Sequence, residues 1–382
     1  MSTLPYGRHW IDDDDIEAVV RTLRSDWLTT GPAVEAFEHA VAEYTGARYA
    51  VAVASGTAAL HAAMFALEIG PGDEVIVPPL TFAATANCVV YQGGTPVFAD
   101  VSPDTLLLDP VSVEKKVTPR TKAIIAVDYA GQPCDYDALR AIGRPHGIAL
   151  VADACHSLGA TYQGRNAGTL AEMSAFSFHP VKHITTCEGG MITTDDPALA
   201  RRVRMFRNHG VTTDHRQRAQ AGAWTYEMTD LGYNYRLSDV QCALGTSQLR
   251  KLDARLGRRR EIAQQYGRAF ASSPTVRPLH TRTEEAHAYH LYVVRVARDP
   301  GRDHLIAALR GQGIGATVHY PLVHLHPYYR NYHHGKPGTC PVAEEAYRDI
   351  VSLPIFPQMT EGDVWRVVQA VEQVCAVPPG RA

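Results

Sequence analysis

The sequence lacks the features that mark three specialised classes of protein. No uninterrupted apolar run approaches the ~18 residues that a membrane helix requires, so we expect no membrane partner. Internal repeats and low-complexity tracts are also missing. The formal net charge of −3 gives no support for nucleic-acid binding, which needs a clustered basic surface. These absences favour an ordinary globular protein.

The cysteines show no disulfide or metal-binding pattern. There are seven of them, an odd number, and none forms a C-x-x-C pair. We therefore interpret them as free thiols in a reducing compartment. The first fifteen residues are polar and end in four aspartates, which is unlike a signal peptide. Together these observations predict a cytoplasmic protein.

Short apolar runs alternate with helical patterns through the first two thirds of the 382 residues. This βαβ rhythm predicts an α/β domain around a mostly parallel sheet. We expect a large domain at 1–250, including an N-terminal arm, and a small C-terminal domain at 251–382. The predicted strands of the large domain are 49–54, 74–78, 96–99, 123–128, 148–153, 173–178 and 191–194, and its helices include 57–67, 136–143 and 197–206.

The end of the large domain and the C-terminal part have weaker signals. Ser238 and Gln241 form a capping-box pattern that predicts a long helix running to about residue 252. Beyond it we expect a strand at 289–296, a helix at 304–312 and another strand at 316–319. The polar stretch 212–223 is interpreted as a mobile loop.

One lysine stands in the most informative segment of the chain. Lys182 follows an apolar strand, with Ser177 before it, Thr185-Thr186 after it and Gly189-Gly190 beyond. A pyridoxal phosphate enzyme needs these groups: an amine for the aldehyde, hydroxyls for the phosphate, and glycines where the backbone approaches the cofactor. A lysine after a strand is more often a solvated surface residue. Other residues must therefore decide whether Lys182 binds a cofactor.

Several other residues supply groups that the same cofactor needs. Asp153 ends a strand at the sheet edge where open α/β sheets bind ligands, and its carboxylate would keep the pyridine nitrogen protonated. Ser55-Gly56-Thr57 opens a helix whose positive end attracts a phosphate. Ser177 adds a hydroxyl, Phe82 is a candidate stacking ring, and His156 would touch the cofactor ring or its oxygen. Each has a plain structural alternative as a cap, a core aromatic or a locally bonded histidine.

The histidines of 319–326 and His333-His334 raise the question of a metal. Their spacing matches no tetrahedral site and prolines interrupt the segment, so we expect no metal there. A loop that lines the substrate site is the better interpretation. Thr30, His179, Tyr320 and His324 are the candidate substrate contacts, and selectivity is expected to depend on 212–224 and 319–326.

Taken together, these segments resemble the DegT/DnrJ/EryC1/StrS family of sugar aminotransferases over nearly the full length. The resemblance rests on 26–32, Ser55-Gly56-Thr57, 79–87, 127–131, Asp153, the segment around Lys182, 232–237 and His319-Tyr320-Pro321. It implies fold type I of the pyridoxal phosphate enzymes, the aspartate aminotransferase type, in which a large, mixed, mostly parallel seven-stranded sheet domain is joined to a smaller C-terminal α+β domain. It also implies a homodimer with shared active sites.

The resemblance assigns roles to single residues. Lys182 would form the Schiff base with the cofactor and move the proton, and Asp153 would bind the pyridine nitrogen, so these two are the catalytic candidates. His156 would contact the cofactor, and Phe82 would stack on its ring. Phosphate-binding positions are matched by Ser55, Gly56, Thr57, Ser177 and, across the dimer interface, Asn234. Pyridoxal phosphate, with pyridoxamine phosphate as its intermediate form, is the implied cofactor.

Within the family, 178–182, 184–186 and 228–237 look closest to the nucleotide-sugar C4 aminotransferases of the pseudaminic acid pathway. This implies transfer from L-glutamate to a UDP-linked 4-keto-6-deoxy N-acetylhexosamine. His183 and Cys187 depart from the pattern of that branch. Another keto-sugar, such as a dTDP-linked 3- or 4-keto sugar or a cyclitol ketone, is the alternative. Lys182 argues against the pyridoxamine-dependent dehydratases of the family, which have histidine there, and a non-catalytic regulator is the remaining alternative.

Overall fold

A seven-stranded sheet forms the centre of the protein in the computed structural model, which describes residues 3–213, 215–283, 286–298 and 301–376. The strands in chain order are β1 (Tyr49–Val53), β2 (Glu74–Val77), β3 (Thr95–Phe98), β4 (Thr121–Val127), β5 (Ala149–Asp153), the two-stranded hairpin β6 (Thr161–Tyr162) and β7 (Arg165–Asn166), β8 (Met173–Ser177) and β9 (Gly190–Thr194). All seven predicted strands of the large domain are present, each within about two residues at either end.

The strand order of the large sheet is β1-β9-β8-β5-β4-β2-β3. Strands β8, β5, β4, β2 and β3 run parallel, whereas β9 pairs antiparallel with both β1 and β8. The parallel strands other than the edge strand β3 are almost wholly buried, as expected where helices cover both faces. This arrangement confirms the predicted mixed, mostly parallel α/β sheet.

Fourteen helices are present among the described residues. They are α1 (Asp13–Leu23), α2 (Pro32–Thr45), α3 (Gly56–Ala66), α4 (Ala84–Tyr91), α5 (Pro110–Glu114), α6 (Tyr136–Gly143), α7 (Pro197–Phe206), α8 (His215–Gln220), α9 (Asp239–Leu249), α10 (Leu252–Phe270), α11 (Arg302–Gly311), α12 (Pro327–Tyr332), α13 (Pro341–Tyr347) and α14 (Glu361–Ala376). The small side chains of α3 let it lie almost completely buried against the sheet.

A second, antiparallel sheet lies in the C-terminal part. It consists of β10 (Val276–Pro278), β11 (Tyr292–Val296) and β12 (Ile350–Leu353), and a separate apolar cluster packs it against α10, α11 and α14. The first cluster nevertheless takes in residues as late as Leu322 and Ile350. The division of the chain at residues 250 and 251 therefore stays a proposal, supported by the break between α9 and α10.

Two expectations for local structure are wrong. Residues 316–319 form no strand, because only Thr317 pairs with Ser352 before the chain turns towards the cavity described below. The polar stretch 212–223 contains α8, which Arg216 fixes by an ion pair of 3.2 Å with Glu35 and by stacking on Trp27. Long-range contacts of this kind leave no local sequence pattern.

The N-terminal arm lies along the C-terminal part of the chain. The Leu4 amide donates to the Gly313 carbonyl, and the Tyr6 carbonyl accepts from the Ile355 amide. The arm thereby brings the Tyr6 side chain to the rim of the same cavity. Within the described ranges no helix combines the length and apolarity needed to cross a membrane.

Candidate active site

A cavity of about 400 Å³ lies where the parallel strands of the large sheet end. Val127, Asp153 and Ser177, at the carboxyl ends of β4, β5 and β8, all line it. This edge is where open α/β sheets bind their ligands. The sheet therefore brings together side chains that are far apart in sequence.

The start of α3 forms one wall of the cavity. Ser55 is the N-cap residue, and its Oγ accepts a hydrogen bond of 3.1 Å from the Ala58 amide. A Cβ added to Gly56 would lie 2.8 Å from the Ser177 Cβ and 3.2 Å from the Cys155 Sγ. A glycine is needed there because the helix start packs so closely against β8. This wall therefore presents the positive end of α3 next to the Ser177 hydroxyl. Together these groups suit a phosphate group.

Asp153 is held by a chain of hydroxyl groups. Its Oδ2 accepts a hydrogen bond of 2.7 Å from the Thr85 Oγ1, which lies 2.7 Å from the Thr81 Oγ1. Oδ1 accepts a weaker bond of 3.3 Å from the Cys155 amide. The carboxylate is therefore oriented and buried, with only 6% of its surface exposed. Sequence reasoning missed Thr81 and Thr85, although two threonines four apart at a helix start are a visible signal.

Lys182 projects from the turn that follows β8. Its amide donates to the His179 carbonyl at 2.9 Å, which fixes the turn. Removal from water lowers the pKa of the Lys182 amine, while the nearby Cys155 and Asp153 act in the opposite direction. The lowered pKa favours the neutral amine, which is the form that attacks a carbonyl and accepts a proton.

Three buried imidazole rings lie beside Lys182. The His156 ring centroid is 4.3 Å from that of His290, which is 5.5 Å from that of His183. His156 Nε2 lies 3.0 Å from the Tyr320 hydroxyl, whereas its buried Nδ1 has no hydrogen-bond partner among the described residues. Burial lowers the pKa of all three rings well below the usual range. They are therefore neutral, and sequence reasoning missed His290 entirely.

Phe82 stands at the mouth of the cavity. Its side chain is 61% exposed, and its ring centroid lies 6.1 Å from that of Tyr320. A phenyl ring in this position belongs to a cavity wall and not to the core. It is free to stack on a flat ligand.

Three of the candidate residues lie away from this cavity. Asn234 is exposed, and its backbone pairs with Asn208. Thr30 lines a second cavity. His324 is fully buried, and its Nε2 lies 3.0 Å from the Glu344 Oε1. The other candidates all line the first cavity, namely Ser55, Gly56, Thr57, Phe82, Asp153, His156, Ser177, His179, Lys182 and Tyr320.

The residues of the cavity fit pyridoxal phosphate. The start of α3 suits its phosphate, the fixed carboxylate of Asp153 suits a pyridine nitrogen, and Phe82 offers a flat wall. Lys182 supplies the amine, and the unpartnered Nδ1 of His156 is a buried polar atom that a ligand would satisfy. The donor set therefore matches what this cofactor requires of a protein.

Comparison with known proteins agrees with this donor set. The DegT/DnrJ/EryC1/StrS aminotransferase family matches residues 9–372. The spore coat polysaccharide biosynthesis protein SpsC of Bacillus subtilis is 43% identical over 376 residues, with 97% of each chain covered.

Two solved structures are similar over the whole fold. Helicobacter pylori PseC, an aminotransferase involved in the biosynthesis of pseudoaminic acid, has a TM-score of 0.91 and 31% identity, covering 98% of this chain and 100% of its own. The proposed sugar aminotransferase Spr1654 of Streptococcus pneumoniae, in its pyridoxamine phosphate form, has a TM-score of 0.91 and 33% identity, covering 98% and 99%. Spr1654 also has a pyridoxal phosphate form. The chain belongs to the DegT/DnrJ/EryC1/StrS aminotransferase family, and it is an aminotransferase that uses pyridoxal phosphate.

Proposed function

We propose that this enzyme transfers the amino group of L-glutamate to C4 of a nucleotide-linked 4-keto-6-deoxy sugar, with UDP-4-keto-6-deoxy-N-acetylhexosamine as the substrate. The observation that carries the proposal is the single cavity that holds Lys182, Asp153 and the start of α3. The similarity to PseC supports a sugar substrate of this kind. His179 and Tyr320, which line the same cavity, are the proposed sugar contacts.

In this proposal each part of the cavity holds one part of the cofactor. Ser55, Gly56, Thr57 and Ser177 bind the phosphate through hydroxyl groups and the helix end. Asp153 pairs with the pyridine nitrogen. Phe82 would stack on the ring, and His156 would contact the cofactor, since both residues line the cavity.

When bound, pyridoxal phosphate supplies an aldehyde that takes up the amino group and a ring that accepts electrons from the breaking Cα–H bond. Lys182 would act as the general base: its neutral Nζ would remove the proton from the substrate Cα and deliver it to C4′, the aldehyde carbon of the cofactor. Asp153, held in place by the Thr85 hydroxyl, would pair with the protonated pyridine nitrogen. The buried rings of His156, His183 and His290 exclude water from the Lys182 side of the cavity.

We also propose that the enzyme acts as a homodimer in which Asn234 reaches the phosphate site of the partner. The segment preceding Asn234 exposes large apolar side chains: Trp224 is 88% exposed and Leu231 is 71% exposed. Burial of such side chains against a second copy is favourable. All seven cysteines are free thiols, which fits the cytoplasm, where we place the enzyme.

The proposed function is tested by incubating the enzyme with L-glutamate and a panel of nucleotide keto-sugars. The panel includes UDP- and dTDP-linked sugars with the ketone at C3 or C4, and a cyclitol ketone. We expect 2-oxoglutarate to form fastest with the UDP-linked 4-keto-6-deoxy N-acetylhexosamine. Faster turnover of another member would replace the substrate and leave the reaction class unchanged.

A variant serves as the control for this assay. Lys182→Ala should lose turnover and the visible absorbance of the bound cofactor together, whereas the exposed-lysine variant Lys115→Ala should keep both. Full activity of Lys182→Ala would overturn the proposed mechanism.

A further inference from the structure

We propose that a second cavity, lined by five arginines, binds a phosphate-bearing anion. This arginine cavity has a volume of about 580 Å³ and lies between α2, α7 and the segment 211–217. Its arginines are Arg201, Arg202, Arg204, Arg207 and Arg236. No carboxylate among the described residues lines it.

Two of the arginines have structural partners. Arg207 forms an ion pair with Glu38 and donates to the Ala52 carbonyl at 2.6 Å. Arg202 pairs with Glu68 at 3.0 Å and stacks on the Phe65 ring. Their charges are thus largely compensated by Glu38 and Glu68, which do not line the cavity.

The other three arginines have no carboxylate partner among the residues that the structure describes. Arg236 donates to the Asn208 Oδ1 at 2.8 Å, and Arg204 makes only a long contact of 3.5 Å with the Ala50 carbonyl. Arg201 is exposed, and its guanidinium has no hydrogen bond or ion pair with the part of the chain that the structure describes. Three uncompensated guanidinium groups around one concave surface create a positive potential that attracts anions.

The chemistry of the wall favours phosphate over a simple carboxylate. A guanidinium group donates in a fork that matches the oxygens of a phosphate, and several forks together suit a group with more than one negative charge. The same cavity contains apolar side chains, including Val34, Met205 and Leu237, against which a nucleoside would pack.

The position of the arginine cavity links it to the proposed dimer. Arg236 and Asn208, which line it, flank Asn234: the Asn234 backbone pairs with Asn208, and Arg236 follows two residues later. Thr30 also lines this cavity. If Asn234 reaches the partner's cofactor, a step that rests on the proposed function, the arginines face the nucleotide end of the partner's substrate.

The phosphate group that binds in the arginine cavity can belong to the diphosphate of the nucleotide sugar or to a free phosphate ion. The test measures binding by calorimetry to the cofactor-loaded enzyme, with UDP, UMP, uridine and inorganic phosphate as separate probes. The variant Arg201→Gln/Arg204→Gln removes two uncompensated charges. The control variant Arg24→Gln/Arg144→Gln removes two exposed arginines that lie outside the cavity and have no ion pair among the described residues.

We expect the cavity variant to bind UDP at least about tenfold more weakly, while the control variant binds it normally. If the bound phosphate belongs to the nucleotide sugar, the cavity variant also has a higher KM for the nucleotide sugar. Its KM for L-glutamate stays the same. If the source is a free ion, inorganic phosphate binds the wild type and not the cavity variant.

Equal binding of UDP and of phosphate by the wild type and the cavity variant would overturn the proposal, as would the absence of binding to the wild type. Because calorimetry measures binding without turnover, it tests the arginine cavity separately from the proposed function. The proposed function fails only if the enzyme is inactive with every keto-sugar of the panel.

Discussion

At the scale of single residues, the cavity around Lys182 depends on groups that burial keeps neutral or that hydrogen bonds hold in place. Desolvation lowers the pKa of the Lys182 amine and of the His156, His183 and His290 rings. The carboxylate of Asp153, in contrast, has three hydrogen-bonding groups near it. These hydrogen bonds hold the Asp153 carboxylate in a fixed orientation in the cavity.

Thr85 is expected to act as a positioning residue for Asp153. Thr85→Val keeps the shape of the side chain but removes the donor to the Asp153 Oδ2. Because hydrogen bonds to charged groups contribute about 1.5–3 kcal/mol, we expect kcat to fall by roughly 10- to 100-fold. Steady-state kinetics with L-glutamate measure this change.

The conservative variant separates this role from a packing effect. Thr85→Ser restores the hydroxyl group and should recover most of the lost kcat, and the pH dependence of the cofactor absorbance should move in Thr85→Val only. An unchanged kcat in Thr85→Val would show that Asp153 needs no such support.

Asp128 gives the protein a pH-dependent stability. It is buried, and its carboxylate accepts hydrogen bonds from the Cys134 amide, the Tyr136 hydroxyl and the Ser157 hydroxyl. Burial raises the pKa of Asp128 to about 7. The folded state therefore keeps this proton between about pH 4 and 7, where the unfolded chain has lost it. Stability must then fall as the pH rises through that window, by about 4 kcal/mol in total.

Asp128→Asn should remove this part of the pH dependence. The amide oxygen still accepts two of the bonds, and the amide nitrogen donates to Ser157. Urea unfolding between pH 5 and 8 should show a flatter profile for Asp128→Asn than for the wild type, while the exposed-residue variant Asp26→Asn follows the wild type. Parallel profiles for Asp128→Asn and wild type would contradict the raised pKa.

At the scale of secondary-structure elements, the start of α9 is hydrogen-bonded to the wall of the Lys182 cavity. The Ser238 Oγ accepts from the Gln241 amide at 3.3 Å, and the Gln241 Oε1 accepts from the Ser238 amide at 3.2 Å. The Gln241 Nε2 also donates to the carbonyl of Glu188, a residue of the cavity wall, at 2.7 Å. One capping box thereby fixes both a helix start and the segment that follows Lys182.

Ser238→Ala should destabilise the protein by about 1 kcal/mol, the usual cost of losing an N-cap side chain. Chemical denaturation measures the difference, with Ser272→Ala, an exposed serine outside the helices, as the control. A loss no larger than that of the control would mean that the cap contributes nothing to stability.

At the scale of the whole molecule, the proposed homodimer would complete the active site with residues from a second copy. The cavity holds Lys182 and Asp153, whereas Thr30 lines the arginine cavity and Asn234 lies next to it. The exposed apolar segment around Leu231 lies close to Asn234 in sequence. The proposed contribution of two chains to each site would account for the separation of these residues within one chain.

Mixing two inactive variants tests this arrangement. Lys182→Ala and Asn234→Ala should each have little activity alone. After unfolding and refolding together, mixed dimers contain one intact site, so we expect roughly a quarter of the wild-type activity. Activity that stays at the level of the separate variants would show that Asn234 serves the site of its own chain.

The local sequence patterns predicted the strands of the large sheet well. They predicted poorly the segments and long-range contacts that build the cavity. The helix bounds of α6 and α7 match the prediction, because caps and apolar periodicity are local signals. The strand expected at 316–319 failed, since its pairing depends on Ser352, far along the chain. The contact of Thr85 with Asp153 joins residues 68 positions apart, and no spacing rule shows it.

The sequence alone determined most strand and helix types and the mostly parallel sheet, and through family resemblance it gave the mixed sheet and Lys182 and Asp153 as the candidate catalytic pair. These depend on residue type, periodicity and order, which are present in the unfolded chain. Only the tertiary structure decided which charges have partners and which do not. It placed His290 beside His156 and gathered the arginines around one cavity, because burial and distance between remote residues are properties of the folded chain.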